Sequence, residues 1–300
     1  MTLNVKGNWK TILRDRDRGH WLAFLEWMVT TSCDLACPGC DRFIDHNHNW
    51  TEDYDLLQSR MTEWSKHLDP DNFTIIGGEP LIHPRIYDIV KTARSCFDHA
   101  TIEIYTNGLL LSKRKKLIDV LLDNGPAKIS LTFHNKNETV RQKINENIKK
   151  YIFKNLHWFQ TGPNSWQYQD LTFEVTDTTD GGWYDYRKTQ NGLLKPWQDN
   201  DPAASYAACG VNIFPIIYDG RLYKCPPISM LHTHLAKFNR LDDVDWQKYL
   251  KYKGVGLDAN EETIEQFIDN ITSPHEICGM CPANPLLKPQ EEALVKHRIK

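Results

Sequence analysis

No stretch of this 300-residue chain approaches the ~20 consecutive apolar residues that a membrane-spanning helix needs, so no span is expected. The first twenty residues lack an apolar core too. Met1 to His20 is polar and of mixed charge, and no secretory leader is read there. A surplus of one charge sign is also missing. The formal net charge of −3 offers no general attraction to nucleic acid or to an anionic membrane, and neither is expected as a partner. Internal repeats and low-complexity tracts are absent, which argues against solenoids and unstructured linkers. With no leader and no span, a cytoplasmic location is expected. The eight cysteines then sit in a reducing compartment, where clustered thiols bind metal more often than they pair as disulfides. The composition, 40% hydrophobic and 25% charged, is that of one large folded domain or one plus a smaller one.

Apolar periodicity predicts strands over 21–29, 72–76, 101–105, 128–133 and 171–175, with helices over 53–67, 84–96, 113–123 and 139–153 between them. This alternation argues for βαβ units and a parallel sheet, curled toward a barrel or doubly wound. In either form the carboxyl ends of the strands make the active face. Those ends carry Cys33, Cys37 and Cys40, then Gly77-Gly78-Glu79-Pro80, Thr106-Asn107-Gly108, and Thr132-Phe133-His134. After about Asp180 the pattern weakens into a polar connector. Two short strands, 211–218 and 221–224, then meet at Asp219-Gly220, a hairpin signal. The basic runs 113–116 and 296–298 are read as solvated surface.

Three thiols in the pattern C-x3-C-x2-C are suited to holding a metal centre with one coordination position open. A zinc site, with His46 or His48 as fourth ligand, is the other metal reading; both histidines are expected in an exposed loop. An iron–sulfur cubane held by three thiolates leaves one iron free for a ligand. A glycine pair at the next strand end lets backbone approach closely, because no Cβ intervenes.

Taken together, these strand ends resemble a radical S-adenosylmethionine (radical SAM) enzyme over roughly Leu22 to Val175. The resemblance implies a partial (β/α)6 TIM-like barrel in which Cys33, Cys37 and Cys40 hold a 4Fe-4S cluster. It also implies that S-adenosyl-L-methionine is cleaved reductively to a 5′-deoxyadenosyl radical, which abstracts a hydrogen atom. Gly77, Gly78 and Glu79 match the motif that meets the methionine amino group. Asn107 falls near the cofactor, Ser130 matches a position that contacts its methionine or ribose part, and Thr132 shares the face of Ser130. Two departures stand out. Gly39 replaces an aromatic residue that helps hold adenine in the family, so adenine is expected against strand five near Glu174 or Val175. The fourth strand ends in Thr132-Phe133-His134-Asn135 rather than Asp-Gly, and rim residue His134 becomes a weak candidate acid or base.

Cys209, Cys225, Cys278 and Cys281 form a second set, and the Asp219-Gly220 hairpin would bring the first two together. Spacing alone allows a zinc knuckle or a closed cluster. The set resembles a twitch domain, the short form of the SPASM domain, which implies a small C-terminal α+β iron–sulfur domain with one auxiliary 4Fe-4S cluster. The expected division is an extension over 1–20, the barrel over 21–195 and the auxiliary domain over 196–300. Cys96 is left as a core residue, His232 and His234 as loop residues, and Trp183, Tyr184, Tyr186 and Trp197 as a cover for the domain seam or else a lining for the substrate pocket. The function implied is dehydrogenation or epimerisation of a small polar molecule, with the auxiliary cluster accepting an electron and a flavodoxin or ferredoxin supplying one. A peptide-modifying maturase is the alternative within this chemistry. A non-catalytic zinc or iron–sulfur module is the alternative outside it.

Overall fold

The structure is a computed structural model that describes residues 19–154, 156–179, 188–190, 193–197, 201–285 and 294–296. Its strands are β1 (His20–Thr30), β2 (Leu35–Ala36), β3 (Leu68–Gly77), β4 (Thr101–Thr106), β5 (Ala127–Phe133), β6 (Phe159–Gly162), β7 (Ser165–Tyr168), β8 (Leu171–Asp177), β9 (Lys188–Gln190), β10 (Leu193–Lys195), β11 (Ile216–Tyr218), β12 (Arg221–Tyr223) and β13 (Leu294–Val295). Its helices are α1 (Tyr54–Trp64), α2 (Ile86–Cys96), α3 (Leu117–Asp123), α4 (Glu138–Asn147), α5 (Pro202–Ala208), α6 (Pro226–Lys237), α7 (Gln247–Leu250) and α8 (Glu261–Asp269).

Nine strands form one sheet in the order β12-β11-β1-β3-β4-β5-β8-β7-β6. The pairings from β11 through β8 are all parallel, and the outer pairs at each end are antiparallel. This is the α/β, parallel-rich sheet expected of a partial barrel. Five of its parallel strands come in chain order. The parallel neighbour on the far side of β1 is β11, returning from the C-terminal segment.

The strands alternate strictly between two faces. Leu25, Trp27, Phe73, Ile75, Ile102, Ile104, Ile129 and Phe173 are fully buried toward the helices. There they meet Leu57, Met61 and Trp64 of α1 and Ile86, Ile89, Val90 and Ala93 of α2. Side chains of Glu26, Thr74, Glu103, Tyr105, Lys128, Ser130, Glu174 and Thr132 occupy the intervening positions. The inner face is therefore polar over β4, β5 and β8, where a closed barrel would pack branched apolar residues, while Met28 and Ile76 join Ile216 in an apolar cluster toward β11.

Helix starts follow their caps: the Asp53 carboxylate accepts from the Asp55 and Leu56 amides at 3.1 Å each, and Asn137 caps α4 in the same way. A second small core, built from Ile228, Leu231, Leu235, Trp246, Tyr249, Ile277 and Met280, holds the C-terminal elements together. Trp197 donates its amide to the Met280 carbonyl, while Trp183, Tyr184 and Tyr186 lie outside the described residues.

Several surface expectations are corrected. His234 and His232 lie on α6 rather than in a loop, and His234 is buried against Phe43, with ring centroids 4.5 Å apart. His48 is likewise buried, its Nε2 3.4 Å from His234 Nδ1. Apolar rings on both elements drew these histidines inward. In the basic run 113–116 the three lysines are exposed as expected, whereas Arg114 is half-buried: its guanidinium donates to the carbonyls of Leu81, Ile82 and His83, and α3 starts after it.

Candidate functional site

The carboxyl ends of the parallel strands open on a cavity of ≈ 490 Å³. Cys33, Cys37 and Cys40 line it, with Gly77, Gly78, Glu79, Asn107, Thr132 and His134. Its lining runs from the first cysteine loop to the fifth parallel strand. Ser130 is one layer deeper, donating its hydroxyl to Glu103 at 2.6 Å, and is absent from the lining. Glu174 pairs with Lys128 at 2.8 Å on the same inner face. It is Thr176 and Thr178 that reach the wall from β8 and beyond.

The cysteine loop is held from two sides. Gly78 and Glu79 donate their amides to the carbonyls of Thr30 and Ser32, each at 2.8 Å. A Cβ on Gly77 would stand 2.4 Å from the Thr30 carbonyl oxygen, and one on Gly78 would stand 2.3 Å from that of Ser32. The glycine pair thus admits the cysteine loop to the second strand end. On the other side β13 pairs antiparallel with β2, which lies between Cys33 and Cys37. The Lys296 amide also donates to the Asp34 carbonyl at 2.7 Å and its Nζ to the Ile44 carbonyl at 3.1 Å, so this tail residue is half-buried against the cysteine loop.

Glu79 is a junction between strand ends. Its carboxylate accepts from the Leu81 amide at 3.0 Å, the Thr106 hydroxyl at 2.9 Å and the Asn107 amide at 2.9 Å. The Asn107 side chain donates in turn to Asp34 at 2.6 Å. Both Asp34 and Glu79 are buried, and burial pushes both carboxyl groups above their ordinary range, their mutual proximity adding to the rise for Glu79. Burial likewise raises the Cys33 thiol and takes Cys40 to about 11. Such thiols become thiolates only when positive charge reaches them, as a cluster's iron would supply. Three soft donors on one cavity, with a polar wall opposite, fit a cubane with an open iron.

His134 stands on the rim with Nδ1 3.2 Å from the Thr178 hydroxyl. Sequence reasoning missed Glu26, Asp41 and Arg42. Arg42 donates to Glu26 at 2.6 Å and to Asp41 at 2.9 Å, tying the cysteine loop to β1. Burial lifts the Glu26 carboxyl to about 7 against the pull of Arg42. A carboxylate inside the apolar run Leu25-Glu26-Trp27 was the available signal.

Cys209 ends α5, Cys225 precedes α6, and Cys278 lies within, and Cys281 ends, the turn Glu276–Met280, which packs on α5 through the Ser205 hydroxyl and the Cys281 carbonyl, 3.0 Å apart. Burial raises the thiols of Cys225, Cys281 and Cys209, the last to about 11, and each senses the charge of others in the set. The four cysteines are half-buried and near enough to feel one another's charge, and four soft donors of this kind fit a coordinatively closed cluster. Gly210 and Val211, next after Cys209, form part of the wall of the first cavity.

GTP 3',8-cyclase of Chlorobaculum tepidum is 27% identical over 131 residues, 43% of this chain. The match spans only 38% of that enzyme's length. Among solved structures, BtrN in complex with AdoMet and 2-DOIA is similar at 16% identity and a TM-score of 0.47, over 88% of this chain and 94% of that one. Native anSMEcpe with bound AdoMet and the Cp18Cys peptide gives 15% identity and a TM-score of 0.41, over 87% and 86%. The model of the Radical SAM superfamily matches residues 27–160, the span that carries the first cysteine set and the strand ends described above: this part of the chain is a radical SAM domain.

Proposed function

We propose that this chain is a radical SAM enzyme that removes a hydrogen atom from a C–H bond of a small polar substrate, in dehydrogenation or epimerisation. In this reading Cys209, Cys225, Cys278 and Cys281 hold an auxiliary 4Fe-4S cluster that accepts an electron. One observation carries it: Gly210 and Val211 follow Cys209 directly and wall the cavity that Cys33, Cys37 and Cys40 line. A cluster held by the second set would then border the substrate.

When bound, the first cluster and S-adenosyl-L-methionine supply the 5′-deoxyadenosyl radical. The residues of the chain bind and orient. Glu79 and Asn107 lock the second and third strand ends to the cysteine loop. Thr132, Thr176, Thr178 and His134 offer hydroxyl and imidazole groups to a polar ligand. Leu35, Ile44, Val211 and Phe214 supply the apolar wall that limits water. The cavity is at the modest end of ligand sites, which run from roughly 300 to 1,000 Å³. That size supports a small molecule beside the cofactor rather than a folded peptide. A one-electron donor such as a flavodoxin or ferredoxin completes the proposal.

The test is anaerobic iron and sulfide content for the parent and for a variant with Cys33, Cys37 and Cys40 all changed to Ala. About eight iron in the parent and about four in the variant are expected, with 5′-deoxyadenosine released by the dithionite-reduced parent alone. About four iron in the parent and none in the variant would remove the electron acceptor. Zinc in place of iron would overturn the enzyme reading.

A further inference from the structure

Lys224 is buried to 4% exposure directly before Cys225. An ammonium taken out of water needs acceptors or an anion to face it. Its Nζ donates to the carbonyl of Asn270 at 3.3 Å and to that of Ile271, where α8 ends. The ring of Tyr206, on the helix that Cys209 terminates, lies with its centroid 5.0 Å from Nζ. Burial pulls the Lys224 ammonium below its ordinary range, and the sulfurs of Cys278, Cys225 and Cys209, once ionised, draw it back up. The chain thus fixes this side chain, by two carbonyls and a ring, next to Cys225 and beside the helix that ends at Cys209.

We propose that Lys224 is a positioning residue that raises the reduction potential of the auxiliary cluster, making it a better electron acceptor. The inference rests on the reading of Cys209, Cys225, Cys278 and Cys281 as cluster ligands. A cubane closed by four thiolates is net anionic and becomes more so on taking an electron. A fixed neighbouring cation in a low-dielectric setting therefore favours the reduced form over the oxidised one. The competing role is purely structural, with Lys224 satisfying the last carbonyls of α8 and its dipole. That role leaves the potential unchanged when a neutral donor replaces the ammonium.

The experiment uses the full chain with Cys33, Cys37 and Cys40 changed to Ala, so that one cluster remains, and follows its reduction by electron paramagnetic resonance against poised potential. Lys224→Gln keeps a donor for the two carbonyls and removes the charge. At a fixed poise its reduced-to-oxidised ratio is expected to fall at least tenfold, about 59 mV for one electron, with Lys224→Arg close to the parent. Lys224→Gln with about four iron and the parent's midpoint overturns the proposal alone. Lys224→Met serves as a second neutral variant. Loss of folded structure by circular dichroism in both neutral variants, with Lys224→Arg folded, makes the residue a structural tie and overturns the proposal as well. A triple-Ala parent that binds no iron removes the auxiliary cluster itself, and the inference with it.

Discussion

Gly78→Ala adds one methyl group where the structure has no space for it. The new Cβ stands 2.3 Å from the Ser32 carbonyl oxygen, 2.6 Å from its carbon and 2.9 Å from the Cys33 Cβ. These are backbone atoms and a cluster-loop residue, so no flexible side chain can swing aside. The loop must move, and the hydrogen bonds from the Gly78 and Glu79 amides, both 2.8 Å, are strained or lost. Overpacking of this kind costs about 1–3 kcal/mol. Two weakened backbone hydrogen bonds add about 1 kcal/mol each, for a total of about 3–5 kcal/mol. The displaced residue is Cys33, so cluster occupancy falls with stability. Gly162→Ala is the control, since its Cβ would meet nothing nearer than 3.6 Å, and its effect is expected within about 0.5 kcal/mol. Anaerobic urea denaturation and iron analysis of both variants decide the matter. Gly78→Ala with the stability of Gly162→Ala and full iron content would refute the claim that the glycine pair exists for the cysteine loop.

Three further outcomes are expected. Burial, with Lys237, His46 and Lys296 nearby, lowers His48 to about 4 against the opposing charge of Asp45, and His234 faces it from α6. The unfolded chain therefore binds a proton that the folded one refuses as pH falls from about 6.5 to about 4. Stability drops across that window by about 2 kcal/mol after allowance for solvent screening, and the difference in urea midpoint between His48→Gln and parent narrows toward acid pH. A constant difference from pH 7 to 4 refutes this. Ser130→Ala removes the 2.6 Å hydrogen bond to buried Glu103 and lowers stability by about 1–3 kcal/mol, with S-adenosyl-L-methionine affinity near that of the parent by calorimetry. Unchanged stability with a large loss of affinity would move Ser130 into the cofactor contacts. Asn107→Asp sets a third carboxyl beside Asp34 and Glu79, and a loss of several kcal/mol is expected in neutral buffer with partial recovery in mild acid, where the new carboxyl protonates. Recovery in mild alkali instead would reverse the sign assigned to the pair.

The parallel core was legible because each strand ended in a residue pattern with a chemical meaning, and the cap of Asp53 and the Asp219-Gly220 turn were local signals. The polar inner face was less legible. Glu26, Glu103 and Lys128 sit at alternate positions in short apolar runs; the partner of Glu26 comes from the cysteine loop, and Glu103 and Lys128 pair across neighbouring strands. Pairing across a parallel sheet has no local sequence mark. The burial of His48 and His234 was hidden for the same reason, since each ring is covered by the other's element. Glu79 shows a third kind of gap. Its motif marked it as a ligand residue, whereas its carboxylate also binds three groups of the chain itself, a role visible only once the strand ends are assembled.

The place of β11 beside β1 carries a consequence for assembly. β1 spans His20–Thr30 and β11 spans Ile216–Tyr218, so almost two hundred residues separate the two partners. During synthesis the strands from β1 to β8 emerge first, and until the hairpin arrives β1 is an open sheet edge with unpaired amides and carbonyls. Open edges of parallel sheets template the addition of foreign strands. The hairpin that leads to Cys225 therefore also serves as a guard: fragments cut before residue 216 should aggregate through β1, and a nascent chain is most vulnerable just before β11 emerges.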